Sequence, residues 1–429
     1  MFSDRTNWKL AQNRLTQALE EVRASGAKIL DLTVSNPTRV GLEYDLRAIL
    51  AALASPCALD YDPQAKGLPE AREAVAEYYR GDHWVRELNT DQIVLTTSTS
   101  EGYSFVFRLF CNAGDELLVP KPSYPLFEFL ADLQDVKLVP YPLIYDHGWQ
   151  MDFPSLEKAV TSRTRGVVVV HPNNPTGSYV RVGDRQQLNE FCREHGLSLV
   201  VDEVFLDYAL GNDHVGADPL VRPVERSSTA NAGSLHAPLN RRVPIQRLGW
   251  DDNSVESFAG NHDVLTFTLS GLSKISALPQ MKVAWIVSSG PAAEVAAAMA
   301  RLEVIADTYL SMNAPTQWAV PTLLEQRKSI QRQLLERVEN NLVELNRQLA
   351  AQKSCQRLIV EGGWYAVLRV PVTQSDEDLA IELVREKSVL VHPGHFYDFP
   401  SDGYLVLSLI APGGEFSEGI GRVLEKLSC

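Results

Sequence analysis

Apolar and polar positions alternate along this chain in two rhythms, and the places where one gives way to the other predict its elements. From about residue 8 to 25 the apolar positions recur at helical spacing as far as Gly26, which predicts a helix stopped by glycine. KILDLTVS then predicts a strand running into Asn36-Pro37-Thr38, and AREAVAEYYR a helix beyond Tyr61. For the next two hundred residues strands predicted at 93–96, 116–119, 167–170, 197–201, 264–269 and 283–287 take turns with helices. Runs such as VVVV at 167–170 are apolar on both faces, as a parallel strand covered by helices requires. A strongly helical stretch follows from 292 to about 350, broken near Met312-Asn313-Ala314-Pro315, and three more strands are predicted at 365–370, 389–391 and 404–409.

This order predicts an α/β fold with a large domain over 46–310, its mainly parallel sheet flanked by helices. A smaller α/β domain is built from both termini, 1–45 and 311–429. The stretch from about 211 to 260, which contains ERSSTANAGSLHAPLNRR, is polar and without period, and reads as a long surface insertion.

Composition narrows the ligands. With 40 Lys+Arg against 54 Asp+Glu the net charge is −14, so the chain lacks the basic footprint of a nucleic-acid binder. At 45% hydrophobic and 22% charged residues it fits a soluble globular protein, and no stretch approaches the roughly 18 apolar residues of a membrane span. The start, MFSDRTNWKLAQNRL, has no signal-peptide pattern, so a cytoplasmic location is expected. The five cysteines are scattered and without C-x-x-C spacing, so they are expected to be packing residues, with no metal site.

In open parallel sheets ligands collect at the carboxyl ends of the strands, so the residues that follow each strand carry the most information. Ser98, Thr99 and Ser100 follow the first, at the start of a predicted helix where hydroxyls and backbone N–H groups favour a phosphate, although such residues are equally good helix caps. Tyr124 follows PKPS, and Asn174 lies in a turn between two prolines. Asp202 ends an apolar strand, where desolvation raises a carboxyl pKa. Lys274 ends another, where burial lowers an amine pKa towards what a Schiff base needs.

Taken together the series resembles the class I/II aminotransferases, fold type I enzymes that use pyridoxal 5′-phosphate. The pieces that carry it are PNNPTG at 172–177, DEVF at 202–205, SGLSK at 270–274, GGWY at 362–365 and HPGHF at 392–396. The resemblance implies a transaminase that moves an amino group from an amino acid to a 2-oxo acid. Lys274 would hold the cofactor as an internal aldimine and move the proton, and Asp202 would keep the pyridine nitrogen protonated. Asn174 would donate to the ring's 3′-oxygen, Tyr124 would stack on the ring, and Ser98, Thr99, Ser100 and Ser273 would surround the phosphate. Tyr61, in YDPQAKGLPEAR, would reach the phosphate of a neighbouring subunit, which implies a homodimer.

Four positions depart from the family pattern. Lys282 stands where an arginine usually meets the phosphate, keeping the charge without the bidentate fork. Gly271 replaces a common serine three residues before the lysine, and Phe205 replaces a tyrosine, removing one donor to the 3′-oxygen. Val406 takes the place of the arginine that clamps the substrate carboxylate. A buried carboxylate needs a cation, and the candidates are Arg39, in SNPTRVG, and Arg369, in AVLRVP. That departure keeps a lyase, decarboxylase or cyclising enzyme of the same fold open as an alternative, since fold and cofactor do not decide which bond breaks. A cofactor-binding regulator without turnover is less favoured, because nothing basic is available for DNA.

Overall fold

The computed structural model describes residues 2–8, 10–211 and 255–428, and its largest sheet has eight strands. In chain order they are β1 Ile93–Thr96, β2 Glu116–Lys121, β3 Lys137–Tyr145, β4 Trp149–Met151, β5 Thr164–Val170, β6 Ser198–Asp202, β7 Thr266–Gly271 and β8 Ala284–Ser289. In space they lie β1-β8-β7-β6-β5-β2-β3-β4. Strands β7, β6, β5, β2 and β3 are mutually parallel, while β8 runs antiparallel to both of its neighbours. Since β1 and β7 are each antiparallel to β8, they point the same way. The carboxyl ends of β1, β2, β5, β6 and β7 therefore open along one edge, and the loops at 97–100, 122–124, 171–177 and 272–274 come together there.

Valines 167–170 and residues 199–201 are buried, in keeping with their apolar runs. Strand β3 was not expected, because Pro140 and Pro142 interrupt its pattern. Proline has no N–H to give to a ladder and is confined to edges. Both prolines lie opposite β2, and on the other side β4 is in register only with Leu143–Tyr145, although the Pro142 carbonyl accepts from the Asp152 N–H at 3.2 Å. The helix expected from residue 8 starts later, at Arg14, because the Asn13 side chain caps the backbone N–H of Thr16.

The smaller sheet has strands β9 Gln356–Arg357, β10 Tyr365–Arg369, β11 His392–Pro393 and β12 Tyr404–Ser408, ordered β9-β10-β12-β11 and all antiparallel. KILDLTVS supplies only the two-residue strand Leu30–Asp31, parallel to Val389–Leu390. One hydrophobic cluster joins Leu15 and Ala18 from the amino end to Leu334, Val338, Val367, Leu405 and Phe416. The break expected near 312–315 falls between the helices Ala292–Tyr309 and Ala314–Glu325. The second of these packs Ala319, Val320, Leu323 and Leu324 against Val75, Leu278 and Trp285. Ile330, Leu334 and Val338 of the following helix, Arg327–Leu349, join the other cluster.

Of the expected insertion, residues 212–254 lie outside the described residues; Phe258 beyond them is fully buried. Among the described cysteines Cys192 is buried and Cys111 and Cys355 are half-buried, but Cys57 is exposed and so is not a packing residue. No described helix is long and apolar enough to cross a membrane.

Candidate active site

Lys274 lies on the short helical turn Leu272–Ile275 that follows β7. The turn begins tightly. A Cβ on Gly271 would lie 2.7 Å from the Val283 carbonyl oxygen and 2.8 Å from the Ala284 Cβ, so the close passage of β8 admits only glycine. This is why no serine stands three residues before the lysine. Ser270 is buried with its hydroxyl donating to the Glu203 carbonyl at 3.3 Å, which leaves the half-buried Ser273 as the accessible hydroxyl.

The Lys274 Nζ sits 4.9 Å from the centroid of the Trp364 ring and 5.5 Å from that of Phe205. Burial brings its pKa down to about 8, against the opposing pull of Asp202. Burial pushes Asp202 up to about 6, and three neighbours hold it from rising further. The Val204 N–H donates to it at 3.1 Å, the Tyr103 hydroxyl donates at 3.1 Å, and Lys274 contributes its charge. Tyr103 was not foreseen from the sequence. It is a buried phenol one turn into the Thr99–Phe110 helix, and its only signal there is a polar atom on an otherwise apolar helical face.

Asn174 and Asn173 play different parts in PNNPTG. The Asn173 amide ties the loop together, donating to the Pro122 carbonyl at 3.0 Å and the Thr176 hydroxyl at 2.9 Å while accepting from Ser123. Gly177 closes the turn at φ +71°, where a Cβ would strike the Gly362 carbonyl at 2.5 Å. Asn174 is buried, and its Oδ1 has no hydrogen-bond partner. A buried polar atom left unpaired costs about 1–3 kcal/mol, and such atoms persist where a ligand completes them.

At the end of β1 the Ser98 hydroxyl accepts from the Glu101 N–H at 3.1 Å, and the Glu101 carboxylate accepts from the Thr97 N–H at 2.6 Å. Ser98 is thus a helix cap. The side chains of Thr99 and Ser100 make no hydrogen bond among the described residues, and with the helix N-terminus they remain available to an anion. Tyr124 is 45% exposed as a residue, and desolvation of its hydroxyl together with the Asp202 charge pushes the phenol up. Lys282 is exposed, in a left-handed conformation after the Pro279–Met281 turn. Tyr61 is 79% exposed.

The two candidate arginines fall at opposite ends of β10. Tyr365 pairs with Ser408, whose N–H and hydroxyl donate to the Leu32 and Val34 carbonyls at 2.7 and 2.6 Å, so the loop that carries Arg39 passes the Tyr365 end. The Tyr365 ring is 6.3 Å from that of Phe205, beside Lys274. The Arg39 side chain is exposed and makes no hydrogen bond or ion pair among the described residues. Arg369 lies four residues further along, roughly 13 Å at strand rise, between the rings of Tyr145 and Tyr404. The structure does not bring it to the lysine. Val406 is fully buried and pairs with Val367 and His392, so an imidazole stands on the neighbouring strand beside the position that holds an arginine in the family pattern.

A lysine amine, a carboxylate, an asparagine amide whose oxygen is unpaired and a hydroxyl-bearing helix N-terminus thus converge on one sheet edge, and these groups can meet an aldehyde, a protonated ring nitrogen, a polar ring substituent and a phosphate. A model of the family described as aminotransferase class I and II matches residues 27–409. The chain belongs to this family. Its members depend on pyridoxal 5′-phosphate, and the residues just described fit that cofactor.

Relatives of this aminotransferase include a glutamate-pyruvate aminotransferase of Haemophilus influenzae, 25% identical over 94% of this chain and 91% of that one. This chain is 26% identical to an alanine aminotransferase of Mycobacterium tuberculosis over 95% of its own length and 87% of that one. Among solved structures, an alanine aminotransferase from Pyrococcus furiosus superposes with a TM-score of 0.83 at 19% identity, covering all of both chains. A Thermus thermophilus aspartate aminotransferase double mutant gives 0.78 at 21%, covering all of this chain and 99% of that one. At such identities the structures establish the fold of this aminotransferase, a fold type I architecture.

Proposed function

We propose that this aminotransferase binds pyridoxal 5′-phosphate at Lys274 and moves the amino group of a 2-amino acid to a 2-oxo acid. The observation that carries the reading is the pairing of a lysine whose amine is brought down to about 8 with a half-buried carboxylate, on the edge where the hydroxyl loop also ends. When bound, the cofactor supplies an aldehyde for the substrate's amine and a ring that accepts electrons from the α-carbon. Lys274 then serves as base and acid, taking the α-proton on Nζ and returning it; a pKa near working pH suits both directions. Asp202, kept ionised by Tyr103 and the Val204 N–H, holds the proton on the ring nitrogen. Asn174 donates its amide to the ring oxygen, and Tyr124 covers the ring.

Thr99, Ser100 and Ser273 take the phosphate, with Ser98 shaping the helix start and Lys282 adding charge. Arg39 takes the substrate carboxylate, supported by its unpaired guanidinium at the Tyr365 end of the strand. The chain works as a homodimer in which Tyr61 reaches the site of the second copy; its exposure, with that of Leu59 at 91%, supports this. The names of the relatives make alanine and glutamate the donors to try first, with pyruvate and 2-oxoglutarate as acceptors.

The test is pyruvate formation from alanine and 2-oxoglutarate, followed by coupled reduction. Turnover that needs the 2-oxo acid and vanishes in Lys274→Ala supports the reading. Product formed from an amino acid alone would replace it with a lyase or decarboxylase.

A further inference from the structure

The turn that carries Lys274 is fastened from outside. Four residues form it, and although backbone N–H groups of residues 276–278 reach the Leu272 and Lys274 carbonyls, side chains from elsewhere add further donors. The Tyr208 hydroxyl donates to the Lys274 carbonyl at 2.6 Å, the Gln331 amide to the Ile275 carbonyl at 3.0 Å, and the Tyr44 hydroxyl to the Ala277 carbonyl at 2.9 Å. These three donors come from the loop after β6, the Arg327–Leu349 helix and the amino-terminal segment. Three stretches distant in sequence thus converge on one side of the lysine's backbone.

Gln331 is itself aimed. Its Nε2 also donates to Asp207 at 2.8 Å, and Asp207 accepts from the Tyr78 hydroxyl at 3.1 Å and meets His83 Nε2 at 3.0 Å. His83 Nε2 lies 2.8 Å from the Tyr78 hydroxyl as well, which closes the cluster. The His83 and Asp207 side chains are only 5% and 8% exposed. An apolar group of the same volume would fill such a place at lower cost, since burying a carboxylate demands every one of these partners. No atom of the cluster is hydrogen-bonded to the Lys274 amine; its connection to the chemistry runs through Gln331 and the Ile275 carbonyl.

The geometry points to Gln331 and Asp207 as positioning residues for Lys274: Asp207, held by Tyr78 and His83, aims the Gln331 amide at the Ile275 carbonyl and so ties the small-domain helix to the turn that carries the lysine. The inference rests on Lys274 being the cofactor lysine. A long, flexible side chain is placed only as well as its backbone, and catalytic groups lose on the order of 100-fold in rate for about 1 Å of misplacement. Loss of one of three clamps should cost part of that.

The experiment compares the cofactor-loaded full chain with Gln331→Met, which keeps the volume, and Asp207→Asn, which keeps the shape. Leu342→Ala, in the same helix and its hydrophobic cluster, controls for lost stability. The expected result for Gln331→Met is a kcat lowered about tenfold, a KM for the amino donor within about twofold, and a displaced midpoint in the spectral pH titration of the bound cofactor. Asp207→Asn should move the same readouts in the same direction by less, and Leu342→Ala should lower Tm alone. Variants that lose only Tm, with kcat and midpoint as in the parent, overturn the inference. Borohydride reduction of the loaded parent and mass mapping separate the two levels. No label on the Lys274 peptide overturns the cofactor assignment together with this inference, whereas a labelled peptide with unmoved variants overturns this inference alone.

Discussion

Replacing Tyr103 by Phe removes the hydroxyl that meets Asp202 and leaves the ring in place. The lost interaction is the 3.1 Å hydrogen bond to Asp202. A bond to an ionised group contributes about 1.5–3 kcal/mol, and at 1.36 kcal/mol per unit its loss raises the carboxyl pKa by roughly one to two units. From about 6 in the parent protein, Asp202 would then titrate at about 7 to 8. At pH 7 its ionised fraction falls from about nine-tenths to between about one-half and one-tenth. Only the ionised carboxylate holds the protonated ring nitrogen, so the apparent Kd for pyridoxal 5′-phosphate rises about 2- to 10-fold at pH 7. At pH 9 both proteins are ionised and the difference shrinks to within about 1.2-fold. The assay is an absorbance titration of cofactor-free protein at the two pH values. The titration of Lys274 is common to both proteins and cancels in the ratio. A ratio that is the same at pH 7 and pH 9 would refute the role given to Tyr103.

The burial of Lys274 makes a kinetic prediction. The rate at which cofactor-free protein captures pyridoxal 5′-phosphate should climb with pH as the neutral amine forms and level off above about 8; a rate still climbing at pH 10 would mean an ordinary exposed amine. Gly271→Ser should lower stability by about 1–3 kcal/mol, read by thermal denaturation, because its Cβ meets the backbone of β8; an unchanged Tm would contradict the close passage. Arg39→Ala should raise KM for the amino donor by about 10- to 100-fold through loss of a charged hydrogen bond. Arg369→Ala should leave KM within about twofold, and the reverse result would exchange their roles.

The residues that follow strands were legible because the strands were. Valines 167–170 and residues 199–201 announce a buried parallel sheet, and once they are placed, Asn174, Asp202 and Lys274 fall on one edge by topology alone. Strand β3 was hidden by Pro140 and Pro142, which a pattern reading counts as breakers although an edge tolerates them. Tyr103, Asp207 and Gln331 were hidden for another reason: each sits on an element whose neighbour is fixed only by tertiary packing, and nothing in local sequence says that a glutamine 57 residues beyond Lys274 meets the carbonyl after it. The two arginines were indistinguishable as sequence. What separates them is the end of β10 at which each lies.

If Lys274 and its edge run a reversible amino transfer, the visible spectrum of the purified, cofactor-loaded protein will show it. Addition of alanine or glutamate should abolish the band of the lysine-bound cofactor and bring up that of the pyridoxamine form, and a 2-oxo acid should restore the first. A band that responds to amino acids without ever yielding the pyridoxamine form would contradict the account, and so would a protein that acquires no band on loading.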